Sequence, residues 1–97
     1  MSMSTYIILS RLSPDSLTDP SEIKKLAKNV NERIKKECPG ITWRESYAVK
    51  GSYDFVDIIE AKDEKEVDRA SMIIRSLGHA QTETMTTTPW HEFLEGF

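Results

Sequence analysis

In Lys50-Gly51-Ser52-Tyr53-Asp54 a turn signal stands between two strand-like runs. Glycine at the first central position suits a type II′ turn, so Gly51-Ser52 reads as a two-residue hairpin loop. The run that follows, Phe55-Val56-Asp57-Ile58-Ile59-Glu60-Ala61, is apolar at both parities, with Phe55 and Ile59 on one and Val56 and Ile58 on the other. A half-exposed strand alternates cleanly, so this one is expected to be covered on two sides. A chain of 97 residues has helices enough for one cover. The second cover is most economically another copy of the protein.

Working outward, residues 41–49 alternate Ile41, Trp43, Tyr47 and Val49 against Thr42, Arg44, Ser46 and Ala48, a strand on the near side of the turn. Residues 5–12 form another, rich in β-branched and aromatic side chains. Between them, Asp19, Pro20 and Glu22 carry a helix start: cap, proline at the first helical position, acid at the third. Ile23, Leu26, Ala27, Val30 and Ile34 follow at helical spacing, and Cys38-Pro39-Gly40 ends the helix. Beyond the hairpin, Asp63 and Glu66 repeat the start signature. Val67, Ala70, Ile74 and Leu77 supply an apolar face, and Gly78 closes the helix. Residues 81–88 are a threonine-rich strand suited to a sheet edge. The order β-α-β-β-α-β predicts an α+β, ferredoxin-like sandwich: a four-stranded antiparallel sheet with two helices on one face. Residues 1–97 read as one domain, with a core over 5–88 and a C-terminal tail or short helix over 89–97.

The hairpin sets a register. With Gly51-Ser52 as the loop, Ala48 opposes Phe55, Ser46 opposes Asp57 and Arg44 opposes Ile59. A three-residue loop would instead bring Glu45 against Asp57, an unfavourable like-charge contact. One face then holds Trp43, Tyr47, Val49, Val56 and Ile58, and is assigned to the helices. The other holds Tyr53, Phe55, Ile59 and Ala48, interrupted by Arg44, Ser46 and Asp57, with Tyr6 and Ile8 beside them. That second face is too apolar for water and is expected to pair with a twin subunit around a two-fold axis. Burying about 500 Å² of apolar surface per chain would contribute on the order of 12 kcal/mol gross.

Gly51-Ser52-Tyr53-Asp54, the apolar strand ending in Glu60-Ala61, and Ser76-Leu77-Gly78 leading into Thr82-Glu83-Thr84 together resemble the GYD family, in order and spacing over nearly the whole chain. The resemblance implies a dimeric α+β barrel, in which two ferredoxin-like sheets pack face to face around a small cavity. One departure is Gln81, where the family pattern tends to carry a basic residue before Thr-Glu-Thr; it weakens any anion-binding role there.

Ligand-binding candidates for such a cavity are Tyr6, Arg44, Ser46, Tyr53, Phe55 and Asp57. Asp57 is the sharpest, because a mid-strand carboxylate among apolar neighbours must find a partner or shift its pKa. Asp54 reads as a turn cap and Gly51 as structural. The functional reading is a small-molecule-binding or regulatory protein accepting an apolar or aromatic compound. The alternative is a cofactor-independent enzyme of the monooxygenase, isomerase or cyclase kind, using an acid-base residue in the same cavity. No catalytic residue is named and no cofactor is expected. With two histidines and one cysteine at no ligand spacing, no metal site is expected either. A net charge of −3 argues against nucleic acid and anionic membranes as partners. The expected partner is the chain itself, as a homodimer through sheet faces, with higher assembly left open. The lone Cys38 suits a reducing cytoplasm, and residues 1–4 lack the features of a signal peptide.

Overall fold

The computed structural model describes residues 3–97; Met1 and Ser2 of the leader lie outside the described residues. Strand β1 (Ser4–Leu12) is followed by helix α1 (Ile23–Glu37), strands β2 (Thr42–Ala48) and β3 (Phe55–Ala61), helix α2 (Glu64–Leu77), strand β4 (Ala80–Thr86) and helix α3 (Trp90–Glu95). The strands form one antiparallel sheet in the order β2-β3-β1-β4, so the threonine-rich β4 lies at an edge as the sequence suggests.

Local signals explain the helix boundaries. Asp19 accepts a hydrogen bond from the Ser21 N–H at 2.9 Å, and Glu22 accepts one from the Asp19 N–H at 2.8 Å, closing a capping box on the 3-10 turn that opens α1. Asp63 caps α2 through the Lys65 N–H at 2.9 Å. At the other end of α2 the glycine works by its size. Gly78 keeps right-handed dihedrals, and His79 takes the left-handed conformation with φ 49°. A Cβ on Gly78 would lie 2.5 Å from the Ile74 carbonyl oxygen, so glycine here lets the chain close against the last turn of its own helix, while Val30 of α1, at 3.6 Å, would meet it in ordinary contact.

The hairpin register holds at its centre, with Ala48 opposite Phe55 and Ser46 opposite Asp57. The loop opens wider than two residues, since Val49 N–H donates to the Asp54 carbonyl at 2.8 Å and leaves 50–53 as the connection. The pairing slips at Arg44, a β-bulge, so Trp43 rather than Arg44 opposes Ile59.

The two sheet faces are the reverse of the expectation. Tyr6, Ile8, Ile59 and Ala61 are buried with Ile34 of α1 and with Val67, Ala70, Ile73 and Ile74 of α2. Tyr6, Ile8, Phe55, Asp57 and Ile59 therefore face the helices, while Val56, Ile58, Ile7 and Leu9 are only partly buried on the opposite side with Tyr47, 53% exposed. Trp43 reaches the helix side, but only because the bulge reverses its parity. Apolar residues on both parities of β1 and β3 made the phase ambiguous, and polar Ser46 and Asp57 misled the choice. They lie on the helix side, where they line a space that α1 does not fill. Helix α3 stacks Trp90 on Phe93, ring centroids 5.6 Å apart, and leaves both rings exposed.

Candidate functional site

Helix α1 seats its C-terminal half and lifts its N-terminal half. Ile34 is 4% exposed, whereas Ile23, Leu26 and Val30 are only partly buried. An amphipathic helix ordinarily presses its whole apolar stripe on the sheet. Here the stripe instead roofs a cleft of about 260 Å³, whose floor comes from β1, β2 and β3. Leu12, Trp43 and Phe55 line that floor with Ser10, Ser46 and Asp57.

The polar groups form a directed chain. Trp43 Nε1–H donates to Ser46 Oγ at 2.7 Å, and Ser46 Oγ–H donates to Asp57 Oδ1 at 2.6 Å. The bulge at Arg44 is what allows this, since it brings residues three apart in β2 onto one face. Removal from water pushes the Asp57 carboxyl above the usual aspartate range, opposed by the hydrogen bond from Ser46 and by the nearby indole N–H of Trp43. Ser10, 2% exposed and paired with Phe55 across β1 and β3, has a hydroxyl with no hydrogen-bond partner among the described residues. Such an orphan is uncommon in a folded interior.

The structure thus brings Ser46, Phe55 and Asp57 together, under α1 rather than between two sheets. The other three candidates lie elsewhere. Tyr6 is packed in the core at 7% exposure. Arg44 sits on the bulge of an edge strand, 3.8 Å from Glu60 in an exposed ion pair. Tyr53 belongs to a cluster beyond β1: its hydroxyl donates to Glu83, which raises its pKa, and the Arg11 guanidinium lies 5.1 Å from its ring centroid.

Asp54 completes the ladder between β1 and β3, its carboxylate accepting from the Leu12 N–H at 2.8 Å, a cross-strand bond in place of the turn cap expected from sequence. The His79 carbonyl accepts from Ser13 N–H at 3.0 Å and Ser13 Oγ at 2.7 Å, so this histidine tethers a loop. Cys38 is buried, and burial raises its thiol pKa. No group of three or more metal-ligating side chains occurs among the described residues. None of the described helices is long and apolar enough to cross a membrane.

Sequence reasoning missed Ser10 and the α1 roof. Ser10 was detectable as the polar break on the Tyr6-Ile8-Ser10-Leu12 parity, matching the breaks at Ser46 and Asp57. The roof was not, because Leu26 and Val30 carry the same pattern whether a helix packs down or stands off.

Known proteins place this geometry in context. A Thermus thermophilus protein described as a glutamine synthetase and cystathionine beta-lyase binding protein is 34% identical over 87 residues, covering 90% of each chain. Among solved structures, the 30S ribosomal protein S6 of Thermotoga maritima superposes with a TM-score of 0.66 at 12% identity, covering 98% of this chain and 97% of that one. A de novo designed protein, Foldit4, gives 0.58 at 22% identity, covering 90% and 98%. A ribosomal protein and a designed one share little beyond architecture, so these two likenesses establish the ferredoxin-like fold alone. The family follows from sequence: the GYD domain model matches residues 6–96, nearly the whole sandwich, and the chain belongs to the GYD domain family.

Proposed function

We propose that this chain is a small regulatory binding protein, acting as a homodimer through the open face of its sheet. We place its ligand, a small apolar or aromatic compound, in the cleft under α1. The observation that carries this reading is the half-buried Asp57 carboxylate on a floor whose other polar side chains are two serines, a costly arrangement unless something uses it. A binding role is favoured over turnover by the cleft's chemistry. Among the described residues, Asp57 is the only carboxyl group lining it, and no lysine, arginine or histidine joins it. General acid–base catalysis ordinarily needs a second group to take or return the proton.

The dimer is supported by the open face. Ile7, Leu9, Val56, Ile58 and Met85 lie only partly covered on the open sheet surface, with exposed Tyr47 at its side. Pairing two such faces would put β3 under cover on both sides. Residues 1–97 then act as one unit, in the cytoplasm, where a lone buried thiol suits the redox conditions. Native mass spectrometry of gently purified protein tests both parts. A dimer carrying extra small-molecule mass is expected; a bare single chain at micromolar concentration would refute the reading.

A second reading is that the regulatory output runs through enzymes. It is favoured by the 34% identity to the Thermus thermophilus protein, whose description names two enzymes that it binds. Co-elution with the host's own glutamine synthetase in size-exclusion chromatography would support it, and separate elution at micromolar concentration would oppose it.

A further inference from the structure

We propose that the cleft under α1 selects a small apolar molecule bearing a primary amine, with the amine at Asp57 and the apolar body along α1. This rests on the reading of the cleft as a ligand site and adds the chemistry of what it takes.

Hydrogen-bond direction comes first. Trp43 donates to Ser46 and Ser46 donates to Asp57 Oδ1, so the chain of donors ends on the carboxylate. No hydrogen bond to Asp57 Oδ2 occurs among the described residues, which leaves one acceptor oxygen for an incoming donor. Charge comes second. Among the described residues no cationic side chain lines the cleft, so a bound carboxylate or phosphate would face Asp57 without compensation, while an ammonium group would supply the missing counter-charge. An alcohol would also donate to the carboxylate but would leave its negative charge uncompensated, whereas an ammonium adds opposite-charge attraction to the hydrogen bond. Shape comes third. Leu26 and Val30 above, with Trp43 and Phe55 below, offer apolar surface within about 260 Å³, room for one ring and a short chain. Ser10, buried and unpartnered beneath the same floor, is an independent sign that the cleft's polar groups are unsatisfied as they stand.

The test is a near-isosteric series: 2-phenylethylamine, 2-phenylethanol and phenylacetate, titrated at neutral pH into the full chain by calorimetry. The amine should bind about tenfold or more tightly than the alcohol, because only the ammonium supplies a counter-charge to Asp57, and phenylacetate should not bind. Asp57→Asn should bring amine and alcohol to equal affinity. Leu26→Trp, which fills the cleft from a partly exposed helix position and leaves the carboxylate intact, should abolish binding of both. Phenylacetate binding as tightly as the amine, or an amine preference surviving Asp57→Asn, would overturn the amine assignment alone. Binding that survives Leu26→Trp overturns the placement in this cleft. If no member binds the unmodified protein, the ligand-site reading falls together with the amine assignment.

Discussion

Ile58 and Ile59 are adjacent on β3 and lie on opposite faces of the sheet, so truncating each to alanine separates the roles of those faces. Ile59 is completely buried, in one core cluster with Tyr6, Val67 and Ala70. An isoleucine-to-alanine change at such a site loses the transfer free energy of the deleted carbons and leaves a cavity, together about 3 kcal/mol. In a domain of this size, that corresponds to a fall in melting temperature of roughly 12–24 °C. Ile58 pairs with Ile7 on the open face and is partly exposed in the single chain. Its truncation should cost about 1 kcal/mol or less in an isolated protomer, because much of its surface already meets water. Urea unfolding at the lowest workable protein concentration should therefore show a large loss for Ile59→Ala and a small one for Ile58→Ala. Repeated at high concentration, the Ile58→Ala deficit should grow, since pairing stabilises only the folded chain and weakens when its surface is trimmed. Equal losses for both variants at high dilution would refute the face assignment. A concentration-independent Ile58→Ala deficit would remove the dimer.

Asp57 makes a prediction of opposite sign to the usual carboxylate. Burial raises its folded pKa above the ordinary value of 3.8, so between those two values the folded chain binds the extra proton. Its penalty is fully present above the raised value, declines as pH falls through it, and is gone below the unfolded value. Asp57→Asn, which keeps an oxygen to accept from Ser46, should stabilise the protein at neutral pH, with the gain shrinking on acidification. Thermal melts of both proteins across that range provide the check, and a gain independent of pH would contradict it. Gly78→Ala should destabilise by about 1–3 kcal/mol, because its Cβ would push against the Ile74 carbonyl oxygen at the end of α2. Chemical denaturation reads this directly, and an unchanged midpoint would show that the end of α2 yields without cost.

Much of the architecture was legible in the chain. Caps at Asp19 and Asp63, periodic apolar residues and the Gly51-Ser52 turn are local signals, written within a few residues of what they specify, and they yielded the β-α-β-β-α-β order. The register around Ser46 and Asp57 was legible for the same reason, since a short connection leaves few pairings. Asp57 could be singled out because a carboxylate in an apolar strand conflicts with its neighbours wherever the strand lies.

The tertiary structure alone decided what the two faces of the sheet do. Strand parity says which residues share a face but not which face the helices cover when both are apolar. The bulge at Arg44 is a backbone event without a glycine or proline to announce it, yet it turns Trp43 inward to donate to Ser46. The lift of α1 is a matter of packing between distant segments: Val30 meeting Gly78 and Ile34 entering the core hold one end down, while the other end stays clear of the sheet. Local sequence encodes which side chains are apolar, whereas the space left between elements depends on how all of them fit at once.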